Sequence, residues 1–141
     1  MTFNARIFVP ALVTATLITV SQAWAEGYVR PTPVDTSAVP QLGDTWHVVN
    51  PYQGDDSVLE TGAHAYLLNC SGCHGLEAES GGLAPDLRNL ADSEEDDEWF
   101  IGRVRSGHVQ NGVSKMPAYE GILSQEGMWA IRNYINSRSK P

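Results

Sequence analysis

Cysteine occurs only twice in this 141-residue chain, and both copies fall within one pentapeptide, Cys70-Ser71-Gly72-Cys73-His74. C-x-x-C-H is the spacing at which a chain attaches haem covalently. Thiols at i and i+3 lie on neighbouring helical positions and can bond the two vinyl groups of one porphyrin, while the adjacent imidazole reaches the iron. A chain tied in this way takes much of its core from the ring. Other uses of two cysteines need more than the sequence holds. A structural zinc site takes four ligands, and His47, His64 and His108 are scattered without a paired spacing. A thioredoxin-like pair sits at a strand-to-helix junction in a βαβ pattern, and no such alternation is visible. A disulfide across so short a loop removes little chain entropy and leaves His74 without a role.

The amino terminus carries an export signal. After Arg6 comes the mostly apolar run Ile7 to Val20, then Gln22-Ala23-Trp24-Ala25, with small residues in the A-x-A arrangement of a signal peptidase site. Residues 1–25 are therefore expected to be a cleaved signal peptide. A retained anchor is disfavoured, because the run contains Pro10 and several threonines and is shorter than the ~20 residues a spanning helix needs. Covalent haem attachment fits an export compartment such as the periplasm. Cleavage removes one cation, Arg6, and takes the formal charge from −8 to −9. Nucleic acid and anionic lipid are poor partners for such a chain.

The remainder is enough for one small domain. Residues 26–56 hold Pro31, Pro33, Pro40 and Pro51 with Gly27, Gly43 and Gly54 and show no period, so they read as an irregular extension. Trp46, Val48, Val49 and Tyr52 are expected to pack on the domain, with 26–40 mobile. Residues 57–141 form the domain proper. A first helix is expected from Ser57, with Glu60 completing a capping box and Leu59, Ala63, Tyr66, Leu67 and Cys70 on its buried face. A second is capped by Asp92 or Ser93, opens with the acidic run Glu94 to Glu98, and ends with Arg103, Arg105 and the stop signal Gly107. That acidic run reads as a solvated helix start, with partner docking as the alternative. A last helix begins near Ser124 and carries Met128, Ile131 and Ile135 on one stripe. No segment alternates as a strand, so the fold class is all-α.

If the protein only moves electrons, iron needs a sixth ligand. Met116 is the choice. It lies in the helix-free stretch Gly107 to Gly121, after the turn signal Asn111-Gly112, and Pro117 biases it toward extended backbone. Met128 sits on an apolar helical stripe, where methionine is usually core filling. His108 is a further alternative.

These residues resemble the class I monohaem cytochromes c over most of Ser57 to Arg138. Gly62 and Tyr66 match the family's glycine and aromatic in the first helix, and Tyr134 matches the partner aromatic in the last. The resemblance implies that those helices cross at the glycine. It also implies that the Pro85 carbonyl of Pro85-Asp86-Leu87 accepts the Nδ1 proton of the axial His74, and that Met116 of Lys115-Met116-Pro117 is the second axial ligand. Leu87 would pack on the haem, within an apolar shell that includes Leu67, Leu83, Phe100 and Val104. More narrowly, Asn50-Pro51-Tyr52, Gly75-Leu76-Glu77-Ala78, Gly81-Gly82-Leu83-Ala84-Pro85-Asp86-Leu87-Arg88 and Lys115-Met116-Pro117 resemble the periplasmic cytochromes that accept electrons from PQQ-dependent alcohol dehydrogenases. The implied protein is a one-electron carrier with one covalent haem c, not an enzyme. It is expected to be a monomer without stable membrane insertion that passes electrons to a terminal oxidase or another cytochrome. The alternatives are a haem subunit of an oxidoreductase complex and, further off, a haem enzyme or a ligand sensor.

Overall fold

The computed structural model describes residues 30–139. The expected signal peptide lies outside the described residues. Four helices and one hairpin follow in the order α1 (Leu59–Asn69), α2 (Ser71–His74), α3 (Glu94–Ser106), β1 (His108–Gln110), β2 (Val113–Met116) and α4 (Gln125–Asn136).

The entry to α1 differs from the expected capping box. Asp55, not Ser57, provides the cap: its carboxylate accepts from the Ser57 amide at 2.9 Å and opens a 3-10 turn over Asp56–Val58. The Leu59 amide donates to the Asp56 carbonyl within that turn, so one of the first free amides of α1 finds its acceptor there. The buried face is also different. Gly62, Ala65, Tyr66 and Asn69 face inward, while Leu67 and Leu68 stay exposed. The reason is the contact with α4. A Cβ on Gly62 would sit 2.1 Å from the Ala130 carbonyl oxygen, so only glycine lets the two backbones approach this closely. One turn on, the rings of Tyr66 and Tyr134 meet at 5.1 Å.

Helix α3 begins where expected. The Ser93 hydroxyl accepts from the Asp96 amide, and Gly107 ends the helix at a φ of 69°. Asp97, Phe100, Ile101 and Val104 form its buried face at helical spacing. Within the acidic run, Asp97 is thus not solvated. It is 2% exposed and pairs with Arg132 of α4, itself fully buried, at 2.7 Å.

After Gly107 the chain forms a short antiparallel hairpin inside the stretch expected to lack regular structure. Asn111 and Gly112 both have positive φ, 52° and 76°, the pair of left-handed residues a two-residue hairpin turn requires. Three to four residues are too few to show alternation, and all of β1 is exposed.

Helix α4, capped by Ser124, is buried all round from Gln125 to Ile135, although Gln125, Glu126, Arg132 and Asn133 are polar or charged. Residues 30–55 cover it as a belt without helix or strand. Gln125 donates to the carbonyls of Gly43 and Thr45 and accepts from the His47 amide. Glu126 accepts from the Leu42 amide, and Asn133 accepts from the Gly54 amide and donates to the Asp55 carbonyl. Residues 30–40, expected to be mobile, are part of it: Val39 is buried and Thr36 meets Ser124 at 3.2 Å.

Candidate haem-attachment site

Helix α1 ends at Cys70, whose backbone (φ −119°, ψ −35°) offsets the single turn α2 from it. Within that turn the amides of Cys73 and His74 both donate to the Cys70 carbonyl, so two thiols and one imidazole lie within a single helical turn. Neither cysteine is in a disulfide. Burial pushes the Cys70 thiol up to about 12, with the neighbouring Cys73 adding to the effect. Gly75 closes the turn at a φ of 81°, and a Cβ there would strike the Glu79 carbonyl oxygen at 1.9 Å.

His74 Nδ1 lies 2.8 Å from the Pro85 carbonyl oxygen. A carbonyl only accepts, so the proton sits on Nδ1 and the Nε2 lone pair is free for a metal. Burial lowers the His74 pKa, a direction that favours the neutral, ligating ring, and the Pro85 bond partly offsets it. The loop that presents Pro85 is fastened along its length. The Leu87 amide donates to Ala78, the Ser80 hydroxyl to Ala84, and the Arg88 guanidinium forks onto Asp86 and reaches Glu79 at 2.9 Å. From the other side, the Tyr66 hydroxyl donates to the Gly75 carbonyl at 2.7 Å. Burial pushes the pKa of that phenol up, so it stays a donor.

Met116 ends β2, half-buried against the core. Its loop crosses α3 at Gly107, where a Cβ would lie 2.5 Å from the Met116 carbonyl oxygen. Beyond it, Tyr119 donates its amide to Val104 and its hydroxyl to the Asn69 carbonyl at 2.6 Å. Met128 lies in the core at 0% exposure. His47 and His64 are exposed, and His108 is exposed against Arg103. Leu87, Phe100 and Val104 are buried, whereas Leu67, Leu76 and Leu83 remain open apolar surface near the attachment turn. Two free thiols, one neutral imidazole, one thioether and nearby uncovered leucines are the donor set and lining that a covalently held haem requires, so the residues fit the group. Sequence reading missed Tyr119 and Asn69, whose roles depend on contacts far apart in the chain. It missed the hydroxyl of Tyr66 as well, though not its ring.

A family model described as cytochrome c oxidase, cbb3-type, subunit III matches residues 57–135. Cytochrome c550 of Pseudomonas aeruginosa is 49% identical over 130 residues, covering 89% of this chain and 90% of that protein. The chain belongs to the cytochrome c family. This cytochrome carries covalently bound haem c, and it is an electron carrier rather than an enzyme. It is also similar to quinohemoprotein alcohol dehydrogenase ADH-IIG of Pseudomonas putida, 36% identical over 85 residues, which are 60% of this chain and 11% of the dehydrogenase. The chain thus spans about a tenth of that enzyme's length. Cytochrome c6 of Gracilaria tenuistipitata var. liui is 27% identical over 82 residues, covering 58% of the chain and 74% of that protein. No solved structure matches significantly. Among the described residues, no helix is long and apolar enough to cross a membrane.

Proposed function

We propose that this cytochrome is a periplasmic carrier that accepts single electrons from a PQQ-dependent alcohol dehydrogenase and passes them toward a terminal oxidase or another cytochrome. In this reading residues 1–25 are a cleaved signal peptide, 26–56 an extension, and 57–141 the haem domain. Cys70 and Cys73 would hold the haem through thioethers, and His74 and Met116 would ligate its iron. The bound haem supplies the one-electron exchange. Pro85 orients His74 and keeps its proton on Nδ1, while Leu87 would pack against the bound haem and Met116 would ligate its iron and exclude oxygen and other ligands. The observation that carries the ligation is the bond from His74 Nδ1 to Pro85, which leaves Nε2 free.

The choice of donor is supported by the similarity to a quinohemoprotein alcohol dehydrogenase, a protein named for its quinone, its haem and its reaction. A haem domain of the same kind is suited to exchange electrons with a quinone enzyme. Stopped-flow mixing of the oxidised protein with a PQQ alcohol dehydrogenase and alcohol tests this. Reduction at a rate that saturates with dehydrogenase supports the proposal, and reduction no faster than with a flavin dehydrogenase removes it. A visible spectrum of wild type and Met116→Ala tests the ligation. A weak long-wavelength sulfur-to-iron band present only in the wild type is expected, and a high-spin wild type would leave the sixth position open.

A further inference from the structure

Asn69 precedes the first haem cysteine, is 2% exposed, and meets three separate parts of the chain. Its side chain pairs with the backbone of Thr32 in the belt as a strand would, accepting from the Thr32 amide at 2.7 Å and donating to the Thr32 carbonyl at 3.1 Å. The same nitrogen lies 3.1 Å from the Ala65 carbonyl one turn back in α1. Its own carbonyl accepts the Tyr119 hydroxyl at 2.6 Å. Tyr119 is 3% exposed, and burial pushes its pKa up, so the phenol remains a donor throughout the ordinary pH range. Its amide is held by the Val104 carbonyl and the next amide by Arg105, which fixes the loop three residues beyond Met116 to the end of α3. Among the bonds described, the only side-chain hydrogen bond from this loop to α1 therefore ends on the residue that the belt holds in place.

We propose that Asn69 and Tyr119 are positioning residues for the methionine side of the haem, and that the amino-terminal belt acts on the sixth ligand through them. The inference rests on the reading that Met116 binds the iron. Only an amide of this length supplies both an acceptor and a donor to one residue's backbone. Asp lacks the donor, and Ala leaves the Thr32 amide and carbonyl without their partner. Removing the Tyr119 hydroxyl leaves a buried carbonyl unsatisfied and frees the loop from α1. In either case the state with Met116 detached becomes more populated, while the helices stay packed at Gly62.

Imidazole reads that population, because its apparent affinity for the oxidised protein scales with the fraction in which the sixth position is free. Full-length Tyr119→Phe is expected to bind imidazole about tenfold more tightly than wild type. Asn69→Ala is expected to show a gain of similar size, and the double variant no more than the larger single one, because both act along one path. Thr32→Pro, which removes the amide donor at the exposed end of the path together with the hydroxyl bond to the Arg30 carbonyl, is expected to give about threefold and carries the test if Asn69→Ala does not fold. Far-UV ellipticity of Tyr119→Phe is expected to keep its wild-type value at room temperature. Unchanged imidazole affinity in Tyr119→Phe and Thr32→Pro overturns the proposal, as does strict additivity in the double variant. Failure of the underlying ligation is separable, since the wild type itself would then lack the sulfur-to-iron band.

Discussion

The belt over α4 and the loops around His74 are both irregular backbone, yet they are held in opposite ways. The belt is fixed by polar side chains reaching across the molecule: Gln125, Glu126, Asn133 and Asp97 bond to backbone groups at Gly43, Leu42, Gly54 and Asn50. The loop from Gly75 to Leu90 is fixed by short-range bonds, such as His74 to Pro85, Arg88 to Asp86 and Leu87 to Ala78. Burial follows the same division. The belt leaves α4 with no exposed face, whereas the loop side keeps Leu76 and Leu83 at 68% and 77% exposure. One side closes the protein on itself, and the other fixes a few donor atoms beside a surface left for the cofactor. Stability should therefore respond to changes where the belt covers α4, and the haem spectrum to changes on the loop side and along the path from Thr32 through Asn69.

Asp97→Ala should break the belt side most severely. It leaves Arg132 charged at 0% exposure and takes the acceptor from the Asn50 amide. A loss of about 3–5 kcal/mol is expected in guanidinium unfolding of the holoprotein, with the folded-state visible spectrum unchanged. A loss below ~1 kcal/mol would mean that the belt side is held by packing alone. Gly75→Ala is the converse change. It forces a side chain into a left-handed backbone against Glu79, at a cost of about 1–3 kcal/mol. Its main effect should appear in the visible spectrum, through displacement of His74. An altered unfolding midpoint with an unaltered spectrum would contradict the division.

Asn133→Ala removes one acceptor and one donor to Gly54 and Asp55, and about 1–2 kcal/mol is expected, with faster amide exchange confined to residues near Gly54. Glu126 gives the smallest and sharpest test. Burial alone would raise its pKa, but the amides of Leu42 and Glu126 and the Ser124 hydroxyl outweigh it, and the value falls below the usual 4.5. A lowered folded-state pKa contributes stability that is fully present above 4.5 and is lost as pH falls through the folded value. Glu126→Gln keeps an acceptor for Leu42 without the charge. Its stability should therefore fall less than that of wild type on acidification below pH 4.5, as read by unfolding midpoints across that range.

Much of the site was legible because its signals are local. The attachment turn is five consecutive residues, Ser93 and Gly107 bound α3 within one turn of its ends, Ser124 caps α4, and Asn111-Gly112 turns the hairpin. The face of α1 was not legible. Its leucines outweigh Gly62 in any hydropathy pattern, yet the glycine decides which side α4 meets. Asp97 was misread for a similar reason. It stands among five other carboxylates, and nothing nearby in sequence announces that Arg132 waits on another helix.

The sequence by itself determined what this protein can bind covalently, where α3 and α4 start and where α3 stops, since caps, stop glycines and the C-x-x-C-H spacing act over a single turn of chain. Only the tertiary structure decided which polar residues are interior. A buried Asn69, Asp97, Gln125 or Arg132 is tolerable only when a partner from a distant segment satisfies it, and that depends on how the belt and helices come together in space.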